Sequence, residues 1–168
     1  PPVLSSAASD VYKRQLPNGP EMATAFLSIS SYMSAAPLNP SYKLKEYEFY
    51  LQDLMPKIVI VEKDSHNPAV EAAKNLGIEI CEIKKIDNAP AGIFNLYDET
   101  SNFELATENN EALVLHTSGT TSRPKVVPLT NKNIFSSAIN ISNSLQLSSQ
   151  DHCYNIMPLF HIHGLIEV

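Results

Sequence analysis

Lys57-Ile-Val-Ile-Val61 constrains this chain more than any other stretch. It lies between Pro56 and a polar cluster, and a continuous β-branched run of this kind marks a strand buried on both faces. Strands covered on both faces belong to parallel sheets. A helix expected over Pro68–Leu76 stops at Gly77, and Ile78-Glu-Ile-Cys-Glu-Ile83 then alternates as a half-buried strand does. Strand, helix and strand in that order form a βαβ crossover. The expected fold class is therefore α/β, a mainly parallel sheet with helices packed on it.

Flanking segments extend the pattern. Asn18 and Gly19 offer a helix entry, Pro20 suits a first turn, and Met22, Phe26, Ile29 and Met33 recur at helical spacing, so a helix is expected over Pro20–Met33. A short Pro-bounded segment follows. Leu44, Tyr47, Leu51, Leu54 and Met55 then form one stripe of a second amphipathic helix, stopped by Pro56. Tyr47, Phe49 and Tyr50 within it are assigned to core packing. Residues 87–110 turn to Asn, Pro, Gly, Asp and Glu and are expected to be a linker or surface excursion. Ala112–His116 and Lys125–Leu129 are expected strands, and Asn131–Leu145 a helix capped by Thr130 or Asn131. That helix places Ile134, Ala138, Ile141 and Leu145 on one face.

With 168 residues the chain suffices for one ordinary domain. Its net charge of -6, with no dense Lys/Arg run, argues against nucleic acid as a partner but leaves a polyphosphate admissible, since backbone amides and one or two lysines supply local positive potential. Cys81 and Cys153 lack metal or disulfide spacing and read as small buried hydrophobes of a reducing compartment. No apolar stretch reaches the ~18 to 20 residues of a membrane span. The first fifteen residues show no apolar period, and SSAASDVYKRQ is similar to translated sequencing-adapter sequence. The domain is therefore expected to run from 16 to 168, with 1 to 15 a non-native or disordered leader.

Chemistry concentrates in Val114-Leu-His-Thr-Ser-Gly-Thr-Thr-Ser-Arg-Pro-Lys125, where an apolar strand empties into a loop of small residues. Gly119 lets backbone approach a ligand closely, and Thr117, Ser118, Thr120 and Thr121 present hydroxyls that can donate to phosphate oxygens. Lys125 adds a cation from the loop's far side. Successive free amides in such a loop form an anion nest. The Walker spacing of Gly-x-x-x-x-Gly-Lys-Ser/Thr is absent.

This run resembles the AMP-binding signature of the adenylate-forming superfamily: acyl-CoA synthetases, luciferases and peptide-synthetase adenylation domains. Ser122 and Val126 stand where many members carry Gly. Pro158-Leu-Phe-His-Ile-His-Gly-Leu165 resembles the superfamily's second segment, in which an aromatic-His pair borders the acyl pocket and the adenylate. The resemblance extends over residues 16–168, and its texture is nearest the oxalate and fatty-acid CoA ligase branches. It implies that Thr117, Ser118, Gly119, Thr120, Thr121 and Lys125 hold ATP, and that Phe160 and His161 line the adenylate pocket, with Lys125 and His161 serving catalysis and His163 structural. No protein metal ligands are implied; Mg²⁺ is expected with the nucleotide. A carboxylic acid, ATP and coenzyme A would be the partners, and the location cytoplasmic, or peroxisomal in a eukaryote. The metal-binding, ribose-binding, hinge and carboxy-terminal lysine segments have no counterpart here, so an inactive amino-terminal fragment of an acyl-CoA synthetase is expected. An enzyme that loads a carrier protein and a non-catalytic nucleotide-binding module are the alternatives.

Overall fold

The computed structural model of the chain describes residues 11–96, 104–117 and 124–166. Among them, seven strands form one sheet: β1 (Val11–Gln15), β2 (Ser34–Pro37), β3 (Ile58–Glu62), β4 (Glu79–Lys85), β5 (Phe94–Leu96), β6 (Glu111–Thr117) and β7 (Lys125–Thr130). Their spatial order is β5-β4-β3-β1-β2-β6-β7. The inner pairs β1–β2, β1–β3, β2–β6 and β3–β4 are parallel, and only the outer pairs β4–β5 and β6–β7 are antiparallel. The sheet is thus mainly parallel, as the Ile58–Val61 run required.

Helices α1 (Pro20–Ser30), α2 (Leu44–Leu54), α3 (Pro68–Asn75), α4 (Asn131–Leu145) and α5 (Ile162–Ile166) cover it. Local chemistry sets their ends. The Glu46 carboxylate accepts the Lys43 amide at 2.8 Å and opens α2, which stops at Met55, left-handed at φ 41°, just before Pro56. Asn67 accepts the Ala69 amide at 2.9 Å ahead of α3. Thr130 and Asn133 cap α4 reciprocally, the Thr130 hydroxyl accepting the Asn133 amide at 3.2 Å and Asn133 Oδ1 the Thr130 amide at 3.0 Å.

Two apolar clusters sandwich the sheet. On one face Met22, Ala25, Phe26 and Ile29 of α1 meet Ala35, Ile60, Ile83 and Leu113, with Ile134 of α4 and Leu159, Leu165 and Ile166 at the margin. On the other, Tyr47 and Leu51 of α2 and Ala69, Ala72 and Ala73 of α3 meet Val59 and Val61. Successive residues of β3 therefore serve opposite cores, which is why that strand is apolar throughout.

Several expectations need correction. Val11–Gln15 is not outside the fold: it forms β1, paired on both sides near the middle of the sheet, while residues 1–10 lie outside the described residues. Backbone pairing is blind to side chains, so a polar strand gives no hydrophobic signal. β4 contributes to both cores, Cys81 and Ile83 to one and Ile80 to the other, instead of being half-buried. Cys153 is exposed, and Phe49 is 38% exposed at the edge of the aromatic group it was assigned to. No residue of α4 is fully buried; Ile134 touches the core, whereas Leu145 of the expected inner face is 65% exposed. The 87–110 excursion contains β5, and the Pro158–Leu165 loop runs into α5. No helix among the described residues is long and apolar enough to cross a membrane.

Candidate functional site

The candidate phosphate loop leaves the carboxyl end of β6 and returns as β7. Ligands of open α/β sheets bind at such strand ends. Thr117 and Lys125 face each other as the outermost rung of the β6–β7 ladder. Directly opposed antiparallel residues project from the same face with Cβ atoms about 5 Å apart, so the Thr117 and Lys125 side chains leave the sheet on one side. Both residues are exposed. Ser118, Gly119, Thr120 and Thr121, expected to form the nest itself, lie outside the described residues, as do Ser122 and Arg123.

Strand alternation fixes which face this is. Leu113 and Leu115 of β6 belong to the α1 cluster, as does Leu129 of β7, and Thr117 and Lys125 continue the same sides of their strands. The Pro158–Leu165 segment packs on that face too, through Leu159 and Leu165. Both sequence motifs therefore reach one side of the sheet.

Side-chain amides hold the second segment. Asn18 Oδ1, at the entry to α1, accepts the Leu159 amide at 2.8 Å; Asn155 donates to the Gly164 carbonyl at 2.9 Å and accepts the Met157 amide at 2.8 Å. The His161 amide donates to the Pro158 carbonyl at 3.1 Å. A Cβ on Gly164 would stand 2.4 Å from that same carbonyl oxygen, so the turn closes only around glycine. The His161 ring is exposed and lies 4.6 Å from the Phe160 ring, tilted by 43°. Between this segment and the start of α1 lies a cavity of about 480 Å³, lined by Asn18, Gly19, Phe26, Asn155, Leu159 and Leu165 among others.

The opposite face of the β6 end carries a pair the motif reading did not single out. His116 Nε2 lies 3.0 Å from Asp53 Oδ2 of α2, with the two side chains 7% and 14% exposed. The His116 ring meets Tyr50 edge-on at 4.7 Å, and Tyr50 stacks on Tyr42 at 4.9 Å and 11°. Alternation alone sends His116 away from the Thr117 face; that Asp53 waits there, 63 positions earlier, is a tertiary fact. Among the described residues no three His, Cys, Asp or Glu side chains gather as a metal site.

Comparison with known proteins agrees with this architecture. The sequence pattern of the family described as AMP-binding enzyme matches residues 12–168, and the chain belongs to that family. It is 40% identical over 163 residues to an oxalate–CoA ligase of Arabidopsis thaliana, covering 94% of this chain and 32% of the relative. It is 36% identical over 178 residues to an oxalate–CoA ligase of Saccharomyces cerevisiae, covering 90% and 33%. The chain thus spans about a third of the length of these relatives. Among solved structures, the o-succinylbenzoate CoA synthetase of Bacillus subtilis with its acyl-adenylate intermediate superposes with a TM-score of 0.72 at 25% identity, covering 96% of this chain and 40% of that one. ATP-bound MatB from Rhodopseudomonas palustris superposes with a TM-score of 0.74 at 22% identity, covering 94% and 32%, a likeness of fold.

Proposed function

We propose that the whole protein carrying this sequence is an AMP-forming acid–thiol ligase. It joins a carboxylic acid to ATP, releases pyrophosphate, and passes the acyl group from the resulting adenylate to coenzyme A. A carboxylate is a poor electrophile until one of its oxygens belongs to a good leaving group, which is what adenylation supplies. Lys125 and the hydroxyls and amides of Thr117–Thr121 would grip the triphosphate and offset charge growing on the departing pyrophosphate. Mg²⁺ would enter with the nucleotide and neutralise phosphate charge. Phe160 and His161 would border the adenylate. The 168 residues alone are proposed to be inactive.

The observation that supports this reading is the pairing of Thr117 with Lys125 at the ends of β6 and β7, on the sheet face that also carries Pro158–Leu165. The names of the relatives support coenzyme A as acceptor, and make oxalate the first acid to assay, followed by malonate and longer acids. ATP–pyrophosphate exchange dependent on one of these acids is the expected result; no exchange across the panel by the folded whole protein would refute it. Within that assay, Lys125→Ala is expected to weaken ATP binding by about 1.5 to 3 kcal/mol, the worth of a charged hydrogen bond, and Arg123→Ala much less. Equal small effects of the two would remove Lys125 from the phosphate site.

A further inference from the structure

We infer that Asp53 and His116 are positioning residues for the Thr117–Lys125 rung, fixing the end of β6 on which it stands; the inference rests on the reading of that rung as part of an ATP phosphate site. His116 immediately precedes Thr117, and its own cross-strand partner, Val126, immediately follows Lys125. The His116–Val126 rung is therefore the foundation of the Thr117–Lys125 rung. A change in its tilt moves the hydroxyl and the ammonium together.

What holds that rung from below is α2. The 3.0 Å contact to Asp53 fixes one ring nitrogen, and Tyr50, itself stacked on Tyr42, fixes the ring edge. Asp53 stands in the last turn of α2, where the helix dipole disfavours an anion, and its side chain is only 14% exposed. A carboxylate so placed is costly unless a donor meets it, so the position is not one that packing by itself selects.

The test uses the whole protein with His116→Ala, Asp53→Ala and the double variant, measuring melting temperature together with KM for ATP and for the acid in pyrophosphate exchange. Temperatures well below each melting point keep every variant folded. Positioning predicts that KM for ATP rises about tenfold in each single variant, the scale of a small misplacement of binding groups, while KM for the acid barely changes. The double variant should then be no worse than the worse single one. A lowered melting temperature with unchanged KM for ATP, or single effects that multiply in the double variant, would overturn the inference. Should the alanine variants fail to fold, His116→Phe combined with Asp53→Leu keeps the packing and removes the polar contact; a rise in KM for ATP then supports the inference and an unchanged KM overturns it. Lys125→Ala run in parallel separates the two readings: if it too leaves ATP binding intact, the phosphate site itself is wrong.

Discussion

Lys13→Pro puts the placement of β1 to a direct test. Lys13 is paired with Ala36 of β2 on one side and Val59 of β3 on the other, so its backbone belongs to two ladders at once. Proline deletes the amide donor and strands an acceptor on a neighbouring strand, which costs about 1 to 3 kcal/mol where water cannot replace it. Misfit of the ring in an interior strand raises the total to roughly 3 kcal/mol or more. In a domain of this length each kcal/mol moves the melting temperature by about 2 to 4 °C, so the expected fall is on the order of 6 to 12 °C. Thermal unfolding followed by circular dichroism measures it, with deletion of residues 1–10 as the companion variant. That deletion is expected to change nothing, because those residues carry no periodic apolar face. An unchanged melting temperature for Lys13→Pro would refute the pairing and return Val11–Gln15 to a passenger leader.

Three further outcomes are expected. Gly164→Ala drives a methyl to 2.4 Å from the Pro158 carbonyl oxygen and must open the turn that carries His161; acid-dependent pyrophosphate exchange should fall at least tenfold, about 1.4 kcal/mol, while ATP binding measured separately changes little. Burial pushes the Tyr47 hydroxyl, which donates to the Asn39 carbonyl at 3.0 Å, up to about 12. The unfolded phenol ionises near its ordinary value of 10, so the fold keeps a proton the unfolded chain loses; stability is whole below pH 10 and drains away as pH rises toward 12, by roughly 2 to 3 kcal/mol. Tyr47→Phe should flatten that alkaline loss in pH-dependent denaturant unfolding. Leu113→Ala, fully buried beneath α1, should cost about 2 to 5 kcal/mol, whereas Phe135→Ala on the 68% exposed side of α4 should stay within about 0.5 kcal/mol of neutral in the isolated chain. Urea unfolding of both decides it.

What the sequence determined by itself was whatever is encoded over short spans. The Ile58–Val61 run is apolar at every position because its residues serve two cores, and that alone required helices on both faces of a parallel sheet. Pro56, Gly77 and Thr130 mark where elements stop or start, because constrained φ, positive φ and capping hydroxyls act within a few residues. The loop signature was legible for the same reason: its hydroxyls, glycine and lysine lie within nine consecutive positions. Tertiary structure decided the remainder. β1 is polar in sequence and is recruited by backbone ladders, whose hydrogen bonds carry no side-chain imprint. The sharing of one sheet face by the Thr117–Lys125 rung and the Pro158–Leu165 segment follows from pleat alternation together with the packing of Leu159 and Leu165. Asp53 beneath His116 depends on where α2 crosses the sheet, and a contact between residues 63 positions apart leaves no periodicity for a sequence to display.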